Sequence, residues 1–386
     1  MSLNRLIGWR AKRIGDPIER LRYLRHEAPI KVKGIRSAQS RGRSKILLAV
    51  VAVVAVASAS VAISAYTFSK KEPPPPLLVP APSFATGSVD TFSKVWLVDH
   101  NNEFEMYSNG LRIENRYSVA NEPRISYPVF ARRHVSVDPI EWRTEPAGIV
   151  YHTTESNDVP FEADETRKLE RVGQNVLEAA RQERAYNFVI DRFGRVWHVV
   201  QETDIANHSG MSVWGDERVV YVNVNHSFLG VAFETQTRPG EQTSANAAQI
   251  HAARVLTEML RSKYHIPASN CVTHAQVSVN PSNMLVGYHT DWASNFPFSE
   301  LGLDDNYLEP PASVDTFGFS YDSTFVNATG SRMWQGLILA EEQVRAQAVS
   351  QGLPVNQYIK ILQRNYKEIL ATVRASAAPK EKNNAS

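Results

Sequence analysis

The stretch AGIVYHTTES, residues 147–156, predicts a buried strand at the centre of the fold. An apolar run from Ala147 to Tyr151 passes directly into polar residues, which is typical of a strand that ends at the edge of a sheet. Such a strand carries His152 to that edge. A histidine placed there can take part in chemistry at the surface of the domain.

Strands and helices on the carboxy-terminal side of this stretch complete the predicted domain. Apolar residues recur at helical spacing in residues 164–185 and 244–264, so each segment predicts an amphipathic helix. Further strands are predicted at YNFVID (186–191), RVWHVV (195–200) and FLGVAFE (228–234). Because these strands are interspersed with helices, we expect an α/β fold with a mixed central β-sheet flanked by helices.

A membrane span is predicted on the amino-terminal side. Residues 46–68, ILLAVVAVVAVASASVAISAYTF, run for 23 residues without a charge, which is long enough for a helix to cross a hydrocarbon layer of roughly 30 Å. Residues 1–45 contain 13 Lys and Arg against 3 Asp and Glu, whereas only Lys70 and Lys71 follow the span closely. The positive-inside rule then predicts a single-pass inner (cytoplasmic) membrane protein with a cytoplasmic N-terminus and a periplasmic or otherwise extracytoplasmic main body. A cleaved secretory signal is the alternative, which the long apolar core and the preceding 45 residues disfavour.

The remaining regions differ in pattern from the α/β domain. Alternating residues around turn signals predict an antiparallel meander in 94–119, and two helices are predicted at 333–350 and 354–373. The predicted organisation is a basic cytoplasmic arm (1–45), a transmembrane helix (46–68), a Pro-rich linker (69–87), an accessory β-meander (88–146), the α/β domain (147–303) and a helical C-terminal region with a disordered tail (304–386).

Composition excludes several classes of function. Residues 46–386 carry 29 Lys and Arg against 37 Asp and Glu, and an acidic main body argues against nucleic acid as a partner. Cys271 is the only cysteine, which excludes an intramolecular disulfide and a thiolate-rich metal site. Its apolar neighbour Val272 favours a small core residue over a nucleophile.

Three side chains at predicted strand ends have the chemistry of a metal site. His152 follows GIVY, His274 lies in NCVTHAQVS and Asp291 lies in GYHTDWASNFPF. Two imidazoles and one carboxylate from separate elements are an established ligand set for catalytic zinc, with a fourth position left for water. The chain has 11 histidines, however, so a surface histidine satisfied by solvent is the alternative for each of them.

The same region resembles the zinc-dependent N-acetylmuramoyl-L-alanine amidases, a family that includes phage amidase-lysozymes and peptidoglycan recognition proteins. The resemblance covers residues 148–303 and rests on six motifs in the family's order: IVYHTTES, YNFVIDRFGRVWHV, IANHSG, SFLGVAFE, VTHAQVS and HTDWASNFPF. It implies that residues 147–303 form a zinc amidase domain, with Zn²⁺ as cofactor and peptidoglycan (a muropeptide) as partner. The partners of the flanking regions stay open.

The resemblance also implies roles for single residues. The residues that match zinc ligands are His152, His274 and Asp291. Tyr186 matches the catalytic tyrosine of the phage-like members, and His208 matches a histidine of the substrate groove. Asn187 and Thr153, which adjoin Tyr186 and His152 in these motifs, are predicted to contact the substrate as well.

The sequence departs from the family pattern around the third ligand. Many relatives have Asp-Pro-Gly where this chain has Asp291-Trp292-Ala293, and they commonly have a lysine, which steadies the developing oxyanion, where this chain has His289. We therefore assign the catalytic oxyanion contact to His289, while His289 as the ligand in place of Asp291 is the alternative. Some cytoplasmic relatives have a glutamate at the position of Ala232, and Glu234 lies nearby in this chain.

These observations predict a membrane-anchored zinc hydrolase that cleaves the amide between N-acetylmuramic acid and L-alanine. The alternative from another class is a tethered peptidoglycan-binding module of the same fold with weak or no turnover, which the altered ligand loop motivates. A carboxypeptidase or a glycosidase is less favoured, since no persuasive pair of carboxylates is present for the latter.

Overall fold

The computed structural model describes residues 92–377, except 134–135, 158, 238–243 and 331–332. The chain divides into two units, 1–86 and 87–386, and every described residue belongs to the second. The predicted basic arm, transmembrane helix and linker, together with the tail beyond residue 377, lie outside the described residues. Among residues 92–377, no described helix is both long and apolar enough to cross a membrane.

An eight-stranded mixed sheet forms the centre of the described unit, in the order β1-β2-β3-β8-β7-β11-β6-β12. Its strands are β1 (Leu97–His100), β2 (Phe104–Tyr107), β3 (Arg112–Glu114), β6 (Gly148–Thr153), β7 (Phe188–Ile190), β8 (Val196–His198), β11 (Phe228–Phe233) and β12 (Cys271–Thr273). Strand β6 lies between β11 and β12 and is parallel to both. The carboxyl ends of these three strands therefore meet at one edge of the sheet.

Two smaller sheets accompany the central one. The first has the order β5-β4-β10-β9 and the second is a single antiparallel pair. Their strands are β4 (Tyr127–Ala131), β5 (Glu141–Arg143), β9 (Val213–Gly215), β10 (Val219–Val222), β13 (Val279–Asn280) and β14 (Leu285–Val286).

Seven α-helices are described. They are α1 (Thr166–Glu183), α2 (Ala247–Tyr264), α3 (His274–Val277), α4 (Ala312–Asp315), α5 (Ser323–Ala328), α6 (Gln335–Ser350) and α7 (Val355–Ala377). Short 3₁₀ turns occupy Ala163–Glu165, Ala268–Asn270, Ser299–Leu301 and Asn306–Leu308.

The two long helices next to the sheet begin and end for local reasons. Helix α2 begins after Asn246, whose side chain accepts from the N–H groups of Ala248 and Gln249, while the side chain of Gln249 accepts from the Asn246 N–H. It ends where His265 takes a left-handed conformation with φ of 53°. Helix α1 ends in the same way at Arg184, with φ of 51°. The prediction of a mixed central sheet flanked by helices is confirmed.

The two helices cover opposite faces of the sheet. Ile149 and Tyr151 of β6 point to the α2 side, where they pack with Leu256 and Leu260. On the other face Ala232 of β11 packs with residues of α1, including Leu177. Because side chains alternate along a strand, the α1 face is also the one that receives His152.

The apolar core continues beyond the predicted α/β domain on both sides. The predicted meander β1–β3 extends the central sheet, because β3 pairs in parallel with β8 and Ile113 lies opposite Val196. At the other end, Tyr366 of α7 packs with Phe130 of β4 in one buried cluster. The predicted domain boundaries at 146 and 303 stay predictions.

Candidate metal centre

Three elements bring His152, His274 and Asp291 together at one edge of the central sheet. His152 is the penultimate residue of β6, and His274 is the first residue of α3, directly after β12. Thr273 lies opposite Tyr151 in the parallel pairing of β12 with β6, so the two histidines leave neighbouring strands at nearly the same level. Asp291 comes from the loop after β14, which returns to this edge through the bond from the Ala275 N–H to the Asp291 carbonyl.

The three side chains are close enough to share one ion. One potential ligand atom from each residue lies within 4.8 Å of the others. The Asp291 carboxylate is 2.8 Å from Nδ1 of His274 and 3.3 Å from Nδ1 of His152. All three residues are at least nine-tenths buried.

The electrostatics of the group keep the ring of His152 neutral and the carboxylate of Asp291 charged. Burial, reinforced by the neighbouring His274, lowers the pKa of His152 to about 4. Burial alone would raise the pKa of Asp291, but the attraction of His274 outweighs it and leaves that pKa below its usual range. At pH 7 the site therefore offers neutral imidazole nitrogen and ionised carboxylate, the forms in which these groups bind metal ions.

The donor set fits zinc. Two imidazoles and one carboxylate are ligand types that zinc accepts, and three protein ligands leave one position open. Asp291 is buried, yet among the described residues its only ion-pair partners are the two histidines, with no Lys or Arg. A buried carboxylate without a cationic partner is costly, and a metal cation would supply that partner. His289, the alternative ligand, is not a member of this group.

His289 and Tyr186 flank the group. The ring of His289 stacks on that of His274, with centroids 4.6 Å apart and an interplanar angle of 18°. The ring of Tyr186 lies 5.1 Å from that of His152, and burial raises the pKa of its phenol above the ordinary value. Tyr186 is therefore protonated at neutral pH and can donate a hydrogen bond. The two residues predicted to be catalytic both adjoin the metal-capable group.

His208, which is predicted to lie in the substrate groove, is buried next to His152. It is 8% exposed and lies behind His152, with its Nδ1 3.1 Å from Nε2 of His152. Burial, with the neighbouring His152 and His274, lowers the pKa of His208 well below its ordinary value. His208 therefore contacts a candidate ligand, and its contact with the substrate stays a prediction.

Thr153 and Asn187, the other predicted substrate contacts, bond to the protein itself. Thr153 is on the face of β6 opposite to His152, and its hydroxyl donates to Glu155 and bonds Thr237. Asn187 is fully buried, and its amide joins strand backbones by donating to the carbonyls of residues 200 and 201 and accepting from the Gly230 N–H. The predicted contacts of Thr153 and Asn187 with the substrate stay predictions.

A cavity that the sequence did not indicate lies beside Tyr186. Its volume is about 410 Å³, and its walls are the segment after β6 and one side of α1. Residues that line it include Thr154, Glu155, Asn175, Glu183 and Tyr186. In the sequence, the polar run after His152 is the feature that relates to this cavity, because it places a hydrophilic segment next to the strand end.

The departures from the family pattern have local explanations. Trp292 has a left-handed backbone with φ of 56°, and its buried indole packs edge-on against Phe233 and Phe296. The turn after Asp291 is thus anchored by an aromatic side chain. Ala232 packs in the apolar core under α1, and the carboxylate of Glu234 is buried beside Gly173.

A family comparison agrees with this geometry. Residues 142–291 match the family model for N-acetylmuramoyl-L-alanine amidase, a range that ends at the third member of the group. Residues 142–291 resemble this amidase family. The predicted family is confirmed over this range, and the family is one of N-acetylmuramoyl-L-alanine amidases.

A curated relative matches the chain over only part of its length. N-acetylmuramoyl-L-alanine amidase AmiD of Escherichia coli (strain K12) is 30% identical over 92 residues, which are 22% of this chain and 31% of AmiD. The chain therefore matches about a third of the length of that enzyme.

Two solved structures resemble the chain over about half of its length. A complex of E. coli AmiD with anhydro-N-acetylmuramic acid-L-Ala-D-γ-Glu-L-Lys gives a TM-score of 0.31 at 18% identity, over 52% of this chain and 65% of AmiD. AmpDh3 of Pseudomonas aeruginosa in complex with anhydromuramic pentapeptide gives a TM-score of 0.32 at 20% identity, over 45% of this chain and 70% of AmpDh3.

Proposed function

We propose that the chain is a zinc amidase that hydrolyses the amide between N-acetylmuramic acid and L-alanine in peptidoglycan. The observation that carries the proposal is the buried His152, His274 and Asp291 group inside the residues that match the amidase family. The family model matched by residues 142–291 and the curated relative AmiD both have the name N-acetylmuramoyl-L-alanine amidase, which supports this amide as the bond that is cleaved.

The side chains of this domain divide the work of amide hydrolysis. His152, His274 and Asp291 would hold the metal ion. When bound, zinc supplies polarisation of the scissile carbonyl and activation of water near neutral pH. The cavity of about 410 Å³ beside Tyr186 gives room for part of the muropeptide.

Tyr186 and His289 act on the reacting atoms. The protonated phenol of Tyr186, beside the ring of His152, donates a hydrogen bond that positions the attacking water. The ring of His289, held parallel to that of His274, stabilises negative charge on the carbonyl oxygen as a hydrogen-bond donor. An imidazole N–H is a weaker donor than an ammonium group, so we expect slow turnover.

We also propose that residues 46–68 anchor the enzyme in the inner membrane as a single pass, with the amidase domain on the periplasmic side. The support is the uncharged run of 23 residues and the excess of Lys and Arg in residues 1–45. A domain held at the membrane by the Pro-rich segment 69–87 can reach the nearby cell wall.

Digestion of purified peptidoglycan tests the proposed reaction. The full-length protein in detergent should release stem peptides that begin with L-alanine, together with glycan chains whose muramic acid carries a free lactyl carboxylate, as identified by mass spectrometry. His152→Ala should release neither product. His251→Ala, an exposed histidine on α2, is the matched control and should behave as wild type. Binding of peptidoglycan without either product would favour the binding-module alternative, and products with free reducing sugars would indicate a glycosidase.

A further inference from the structure

His208 and His152 form a buried pair in which every ring nitrogen has a defined neighbour. Nδ1 of His152 lies 3.3 Å from the Asp291 carboxylate, and Nε2 of His152 lies 3.1 Å from Nδ1 of His208. Nε2 of His208 in turn lies 3.3 Å from the carbonyl oxygen of Phe228. A linear series of contacts thus runs from strand backbone to the metal-capable group.

The end of this series determines where the protons lie. A carbonyl oxygen can only accept, so Nε2 of His208 must carry a proton and donate to Phe228. In a neutral imidazole the other nitrogen is then an acceptor. Nδ1 of His208 therefore accepts from Nε2 of His152, which leaves Nδ1 of His152 without a proton.

This proton arrangement suits a metal ligand. The unprotonated Nδ1 of His152 and an oxygen of Asp291 face each other at 3.3 Å, and both are acceptors. Two acceptors in contact are satisfied when a cation lies between them. The outer hydrogen bond of a ligating histidine generally fixes its tautomer and ring orientation in this way.

Gly230 provides the space that His208 occupies. A Cβ atom at Gly230 would lie 2.7 Å from Cγ and 2.8 Å from Cβ of His208, closer than carbon atoms approach. The backbone on the other side is fixed by Asn225, whose side chain accepts from the N–H groups of His208 and Ser209. The position of the His208 ring is therefore determined from both sides.

We propose that His208 is a positioning residue that holds His152 in the Nε2–H tautomer and in the ring orientation needed to bind the metal ion through Nδ1. The proposal rests on the metal-binding function proposed for the His152, His274 and Asp291 group. It assigns to His208 a role toward the protein, not a contact with the muropeptide.

Zinc affinity and histidine tautomer together test this role. In the full-length protein in detergent, His208→Ala should weaken zinc binding by about 10-fold to 100-fold in competition with a chelator, as for other outer partners of metal ligands. His208→Gln should restore much of the loss, because its amide can accept from His152 and donate to Phe228. Gly230→Ala, which displaces the ring without removing it, should also weaken binding. His251→Ala is again the matched control.

The tautomer is read without zinc or activity. ¹⁵N chemical shifts of the metal-free wild type, with His152 assigned by its absence in His152→Ala, should show a protonated Nε2, and His208→Ala should give a mixture of tautomers. The proposal would be overturned if wild-type His152 carried its proton on Nδ1. It would also be overturned if the zinc affinity of His208→Ala were within about twofold of wild type, a difference well below the expected loss. A rise in the KM of His208→Ala, with zinc affinity unchanged, would indicate instead that His208 contacts the substrate. If peptidoglycan is not cleaved but zinc affinity and tautomer respond, the proposed function fails and the role of His208 stands.

Discussion

Replacing Glu234 by Gln should stabilise the protein at alkaline pH. Glu234 follows β11 and is 2% exposed, and its Oε2 accepts a hydrogen bond of 3.1 Å from the Arg192 N–H. A Cβ atom at Gly173 of α1 would lie 3.1 Å from the same oxygen, so the helix covers the carboxyl closely. Burial raises the pKa of Glu234 to about 7, against smaller opposing contributions that include the Arg192 N–H.

The size of the effect follows from this pKa. A rise from the ordinary 4.5 to about 7 corresponds to about 3 kcal/mol, because each pH unit between the two values is worth about 1.4 kcal/mol. The folded state favours the protonated carboxyl, so this contribution to stability is complete below pH 4.5 and is lost as the pH rises through about 7. Gln has the same shape, accepts the same N–H and cannot ionise. The variant should gain up to about 3 kcal/mol at pH 8 and less than about 1 kcal/mol at pH 5.

Chemical unfolding followed by tryptophan fluorescence at pH 5 and pH 8 measures both values. Glu178→Gln, an exposed position on the same helix that covers Glu234, is the matched control and should change stability little at either pH. Equal gains at the two pH values, or a Glu234→Gln protein less stable than wild type at pH 8, would refute the reasoning.

Three further predictions concern catalysis, packing and topology. His289→Lys should raise single-turnover release of L-alanine peptides by up to about tenfold, because a charged donor stabilises an oxyanion better than a neutral one. His289→Ala should lower the rate and keep zinc, and an unchanged rate in this variant would remove His289 from the mechanism. Arg132→Ala should lower the free energy of unfolding by about 3–5 kcal/mol, because Arg132 pairs with buried Asp315 and donates to the Pro310 carbonyl. Arg133 is exposed, so Arg133→Ala should have little effect, and similar losses in both variants would contradict the prediction. Protease added to spheroplasts should remove everything after residue 73 and spare the basic arm, and protection of the large part would reverse the predicted orientation.

The sequence was informative where function coincides with strand ends. His152 and His274 follow short apolar runs, and parallel strands bring such ends together, so their proximity could be anticipated. Asp291 could be chosen over His289 only through the resemblance, since both lie in the same irregular loop.

The alternation of side chains along a strand determines the direction of Thr153. Thr153 directly follows His152 in β6, so its side chain had to point to the opposite face. The partners of Asn187 could not be predicted from alternation, because its amide bonds to backbone groups of residues 200, 201 and 230, which are distant in sequence.

Other features depend on contacts that no local pattern reveals. The motif IANHSG is polar, yet His208 is buried because Gly230 on a central strand leaves space for its ring. The meander β1–β3 looked separate, and only the parallel pairing of β3 with β8 makes it part of the main sheet.

Zinc content measured together with hydrolysis tests the central claim most directly. Metal analysis of the full-length protein should give about one zinc per chain, because His152, His274 and Asp291 form the one metal-capable group among the described residues. Each single Ala variant of these residues should lose zinc and release of L-alanine peptides together, while His251→Ala keeps both. Hydrolysis that continues in a variant without zinc, or a wild-type protein that cleaves peptidoglycan with no zinc bound, would contradict the account.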